Sequence, residues 1–88
     1  MPIKRKLRVY GWSHGGLSRV IVAAYNKLSV DKAWRGGRDY ISETGNEIEL
    51  QVALANPFTI FIERPRGSKQ FHPMEDEYQH MRDNPALR

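Results

Sequence analysis

Three histidines, His14, His72 and His80, and one acidic cluster, Glu43, Glu47 and Glu49, are the side chains of this sequence best suited to chemistry. Glu77 stands three residues before His80 and Asp76 four before it, so on a helix either carboxylate shares a face with the imidazole, as two metal ligands would. No third ligand is placed to join them, and a carboxylate–histidine pair on a solvated helix accounts for the same residues. No metal and no cofactor is therefore expected. Ser13-His14 beside Gly15-Gly16 sets a hydroxyl next to an imidazole, but adjacent residues do not readily present one to the other, and the strand–turn–helix setting of a nucleophile elbow is missing. The same stretch lacks the Gly-Lys-Ser/Thr ending of a phosphate loop and reads as a flexible connection between two strands. Glu47 and Glu49, two apart on a helix, point in different directions and are explained by compensation of the helix dipole. The expectation is a protein that is not an enzyme.

A broader pattern is the interleaving of aromatic and basic residues: Arg8, Tyr10 and Trp12, then Arg19 and Tyr25, then Trp34, Arg35 and Arg38. Aromatic rings on a sheet face can stack on unpaired nucleobases while nearby cations meet phosphates. Tryptophan, tyrosine and arginine are equally the residues enriched at protein-interface hot spots, and the same rings suit a hydrophobic core equally well. All three readings stay open for Tyr10 and Trp12, whereas Trp34 reads as core. The candidate binding surface is Arg8, Tyr10, Trp12, His14, Arg19, Arg35 and Arg38.

The elements that must position these residues belong to a chain of 88 residues, enough for one domain, with 40% hydrophobic and 27% charged side chains. A chain of that size leaves little core to spare for an enclosed active-site cavity. It contains no cysteine, which removes disulfides, thiolate metal sites and cysteine nucleophiles together. No apolar run approaches the ~20 residues of a membrane helix, and the basic start Met1-Pro2-Ile3-Lys4-Arg5-Lys6 leads into no signal-type apolar segment, so the expected location is cytoplasmic. The net charge of +4 is uneven. Residues 1–40 carry nine basic and two acidic side chains, residues 41–62 carry three acids and no base, and residues 63–88 carry five of each. A basic half of this kind suits phosphates or an acidic protein surface.

Residues 6–12 alternate charged and apolar side chains, the period of a half-buried strand. Residues 18–26 hold the β-branched run Val20-Ile21-Val22 and read as a second strand rather than a helix. Ser29 as N-cap, Asp31, Arg35 and Gly36-Gly37 predict a helix over 29–35 with Val30, Ala33 and Trp34 on its apolar side. After a short extended piece near Ile41, Asn46 caps a second helix, Glu47 to Ala55, with Glu49 reaching back to the cap and Ile48, Val52 and Ala55 forming its stripe, widened by Leu50 and Leu54. Phe58 to Ile62 reads as the central strand. A polar linker follows, and then a helix that starts at Pro73 with a narrow face of Met74, Tyr78 and Met81. The predicted fold class is α+β, a small antiparallel or mixed sheet of three to four strands covered on one face by one or two helices, plus a C-terminal amphipathic helix. The corresponding division is a compact domain at 1–63 with a linker and helix at 64–88.

The segments Arg8-Val9-Tyr10-Gly11-Trp12, Arg19-Val20-Ile21-Val22-Ala23-Ala24, Ser42 to Leu50 and Ala53 to Phe61 resemble those of short open reading frames from bacteria and their phages, over about residues 7–62. At the level of class the chain is similar to small phage anti-defence proteins, anti-CRISPR proteins among them. That resemblance implies an inhibitor that occupies a surface of a larger host protein or nucleoprotein complex without turning anything over. Several nucleic-acid mimics in that class are acidic, whereas this chain is basic, so the implied target is an acidic protein surface or a position near the nucleic-acid path. The competing expectation is a basic nucleic-acid-binding module for DNA or RNA. Homodimerisation is a further expectation, because a small sheet has edges to cover.

Overall fold

The computed structural model describes residues 6–14, 18–34 and 40–74. In chain order the elements are β1 (Arg8–His14), β2 (Ser18–Ala24), α1 (Lys27–Ala33), β3 (Ser42–Glu43), α2 (Glu47–Ala55), β4 (Phe61–Glu63) and β5 (Phe71–Pro73). The five strands form one antiparallel sheet in the order β3-β1-β2-β4-β5. This is a small α+β fold. No helix among the described residues is long and apolar enough to cross a membrane.

The β1–β2 hairpin is the frame, with Trp12 opposite Val20, Tyr10 opposite Val22 and Arg8 opposite Ala24. Side chains alternate across a strand, so each strand serves two layers. Tyr10, Trp12, Val20, Val22, Ala24 and Ile62 pack with Val30 and Ala33 of α1 and with Trp34 and Ile41. On the opposite face Val9, Ile21, Ala23 and Phe61 pack with Ala53 of α2, flanked by Leu50, Val52 and Phe71. The sheet is thus covered on both faces, where the sequence suggested one. Every residue from Val20 to Ala24 is fully buried, which makes β2 the central strand. An uninterrupted apolar run is what a strand buried on both sides requires.

The central position was expected for residues 58–62. Phe58 instead takes φ 65°, a left-handed conformation that a strand interior excludes, and β4 begins only at Phe61. Phe58 N–H donates to the Ala23 carbonyl at 3.0 Å, so the chain leaves α2 and docks onto β2 before it turns extended.

Both helices differ from expectation in phase. The first is capped by Asn26, whose side-chain oxygen accepts from the Ser29 N–H at 2.8 Å and from its hydroxyl at 3.1 Å, so α1 starts two residues before Ser29. Val30, Ala33 and Trp34 are buried as expected. The second helix keeps its predicted cap, Asn46, which accepts from the Glu49 N–H at 3.1 Å. Its buried line, however, is Glu49 and Ala53 at i and i+4, while Leu54 and Ala55 are exposed. Ala53 lets the helix lie close to Ile21 and Ala23, and Glu49 is drawn inward by a cation on the sheet.

Beyond Glu63 the chain makes a hairpin and returns as β5, with Ile62 opposite His72 and Glu63 opposite Phe71. Pro73 therefore ends a strand and does not open a helix. The folded unit extends past the boundary expected near residue 63, since Phe71 and Met74 pack on the two layers. The helix expected after Met74, and with it the Asp76, Glu77 and His80 pair, lies outside the described residues.

Candidate binding surface

Of the seven residues assigned to a binding surface, Arg35 and Arg38 lie outside the described residues. Tyr10 and Trp12 are only 5% and 1% exposed, which corrects the reading of them as surface aromatics. The covering layer of α1 and Trp34, absent from any local pattern in β1, is the reason. Trp34 stands 4.8 Å from Trp12, centroid to centroid, and His14 stands 5.3 Å from Trp34, both edge to face. His14 is half-buried at the end of β1. Ser13 and His14 are successive strand residues, so their side chains leave on opposite faces.

Arg19 is the second correction. It reaches across β1 to Glu49, with Nε donating to Oε2 at 2.8 Å and Nη2 to Oε1 at 3.0 Å. This paired, fork-like geometry is the strong form of a charge-assisted bond. It passes over Gly11, where a Cβ would lie 2.7 Å from the Arg19 guanidinium carbon. Glu49 is therefore spent on Arg19, and the Asn46 N–H that it was expected to cap bonds the Thr44 hydroxyl at 3.2 Å. The acidic cluster is likewise dispersed, since Glu43 meets Arg8 at 3.4 Å on a well-exposed pair of modest strength.

Arg8 is thus the assigned residue that the sheet presents to solvent as a cation. It lines an open cleft of about 460 Å³ with Lys6, Tyr10, Tyr25 and Asn26. Lys6 and Arg8 also border a second hollow of about 520 Å³ on the other side of β1, beside Thr44, Gly45 and Leu54. The hairpin end of β1 and β2 lies away from this cleft, which opens where Arg8 faces Ala24 and the chain bends into α1. Tyr25 forms the cleft wall and packs against Phe58 with ring centroids 5.4 Å apart.

Burial, and secondarily the Glu43 carboxylate opposite it on β3, raises the Tyr10 phenol above its ordinary value of 10.0, partly offset by Arg8 and Lys27. The folded protein therefore holds this proton to higher pH than the unfolded chain. Its contribution to stability is complete below the unfolded value and declines as pH rises through about 10 toward the raised value. Tyr10→Phe is expected to flatten the fall in stability above about pH 10, measured by urea titration at several pH values. An alkaline slope as steep as that of the parent protein would show that Tyr10 does not govern it.

The polar linker expected over Glu63-Arg64-Pro65-Arg66-Gly67-Ser68 is part of an ordered hairpin loop, residues 64–70, in which the Glu63 carboxylate accepts from the N–H groups of Gly67 and Lys69, both at 2.9 Å. Glu63 is nearly buried, while Arg64, Arg66 and Lys69 are exposed. Counting charge over 63–88 hid a local excess that the fold creates by turning the acid inward.

Comparison with protein-family models, with curated proteins and with solved structures returns no match.

Proposed function

We propose that this chain is a small non-enzymatic binding protein, an accessory or anti-defence inhibitor of phage or mobile-element type, which acts in the host cytoplasm by steric contact with a larger protein or nucleoprotein complex. The observation that carries this reading is the Lys6–Arg8–Tyr25 cleft. It combines two exposed cations with an aromatic wall that is already held by Phe58, and arginine beside a rigid aromatic is the composition of an interface hot spot. The basic character of the first half, in which Lys6 and Arg8 lie, favours an acidic protein surface as the partner. Burial of Tyr10 and Trp12 speaks against base stacking on the sheet, which needs exposed ring faces.

The test is capture of partners from host lysate by the full chain, with and without nuclease. A specific protein retained after nuclease treatment, and lost when Lys6 and Arg8 are both replaced by Glu, is the expected result. Capture that disappears with the nucleic acid would sink the reading. So would retention of the partner by the charge-reversed variant.

A further inference from the structure

We infer that the β4–β5 hairpin loop, residues 64–70, contacts the phosphate backbone of double-stranded nucleic acid through Arg64, Arg66 and Lys69. Three side chains of one sign fall within six residues, and all three are exposed. Within residues 63–70 the acid, Glu63, faces into the loop and is occupied by two backbone N–H groups. The exposed charged side chains of the loop are therefore all cations.

The loop is also held in one shape. Besides the two bonds to Glu63, Arg64 N–H donates to the Gln70 carbonyl at 2.9 Å, Ser68 N–H to the Pro65 carbonyl at 3.0 Å, and Gln70 N–H to the Ser68 hydroxyl at 3.2 Å. Lys69 sits at φ 60°, a left-handed conformation that glycine or asparagine adopts more easily. The fold thus keeps a lysine where its backbone is disfavoured, and the three cationic side chains leave a loop backbone that is held by hydrogen bonds. A pre-ordered backbone carrying cations suits a duplex, whose phosphates are themselves regularly spaced, because less entropy is lost on contact.

The composition of the loop separates the possible partners. Protein interfaces depend on buried aromatic or apolar anchors, and Arg64-Pro65-Arg66-Gly67-Ser68-Lys69-Gln70 offers none. Backbone contacts to a duplex need only cations and small polar donors. Single strands are usually held by base stacking, and neither this loop nor the buried rings of β1 provide an open ring face. The inference uses residues remote in sequence from Lys6 and Arg8 and stands or falls independently of the protein-partner reading.

Fluorescence anisotropy with a labelled duplex of about 20 base pairs, titrated with the full chain between about 50 and 200 mM salt, tests it. Micromolar binding is expected at the low end, with a slope of log K against log salt of about −2 to −3, as three phosphate contacts imply. Changing Arg64, Arg66 and Lys69 together to Ala should lower affinity about tenfold or more and remove most of that slope. A double change of the exposed Lys27 and Lys32 to Ala should do much less for each charge removed. Glu63→Ala is the sharper variant. It removes a negative charge, so simple electrostatics predicts tighter binding, whereas loss of the loop clamp predicts binding about threefold to tenfold weaker at an unchanged slope. Equal losses per charge removed in the loop variant and the Lys27/Lys32 variant would reduce the effect to net charge and overturn the inference. It would also be overturned by absence of duplex binding at low salt, by preference for a single strand, or by polyglutamate competing as well as duplex per unit charge.

Discussion

Trp12→Ala is expected to destabilise the fold by about 3–5 kcal/mol, the range for removing a large aromatic from a core. Trp12 is the largest of the fully buried side chains, and it joins β1 to Val20 on β2 and to Trp34 beyond α1. A domain of this size has roughly 5–13 kcal/mol in total, so the substitution should lower Tm by roughly 15–30 °C or leave the chain largely unfolded. Thermal denaturation followed by circular dichroism measures this. Trp12→Phe makes the expectation specific. The indole Nε1 is buried with no hydrogen-bond partner among the described residues, so the donor itself contributes desolvation cost without a bond in return. Phenylalanine removes that burden while leaving a smaller cavity, and its net effect should be about 1 kcal/mol. If phenylalanine were as damaging as alanine, the role assigned to Trp12 as apolar filling would be wrong.

The second large effect lies on the other face. Arg19→Ala leaves the Glu49 carboxylate, whose side chain is 11% exposed, without its cation, and should cost about 2–4 kcal/mol after allowance for the solvent that reaches Arg19. Glu49→Ala should cost less, because Arg19 is 30% exposed and can turn toward water. Replacing the pair together with Met and Leu should recover most of the loss, since apolar groups of similar volume need no partner. Gly11→Ala provides an internal check. Its Cβ would meet the Arg19 guanidinium, so it should be destabilising in the parent protein and nearly neutral once Arg19 is Ala. Additive effects in urea titrations of these variants would mean that Gly11 and Arg19 are not coupled.

These two sites also mark where sequence reasoning reaches its limit. Alternation in β1 and the β-branched run in β2 located both strands, and Asn46 located the start of α2, because such signals act over a few neighbouring residues. The placement of Trp34 in the core was likewise legible, from apolar residues recurring at helical spacing. The assignment of Tyr10, Trp12 and Arg19 to a surface failed for a common reason: what covers or pairs with each comes from far along the chain. Glu49 is thirty residues from Arg19, and nothing in the spacing of either announces the other. A capping pattern made Glu49 look locally satisfied, and the tertiary ion pair took precedence.

The same distinction applies to the basic charge of this chain. The sequence by itself determined the amounts: a basic first half, no cysteine, and an α+β order of strands and helices. These follow from composition and from short-range periodicity, which the chain carries before it folds. Only the tertiary structure decided which charges remain available. Folding turned Arg19 toward Glu49, left Lys6 and Arg8 on a cleft, and folded Glu63 under a loop on which Arg64, Arg66 and Lys69 are exposed. Charge is a property of residues, but accessible charge depends on which partners the packed chain brings within hydrogen-bonding distance.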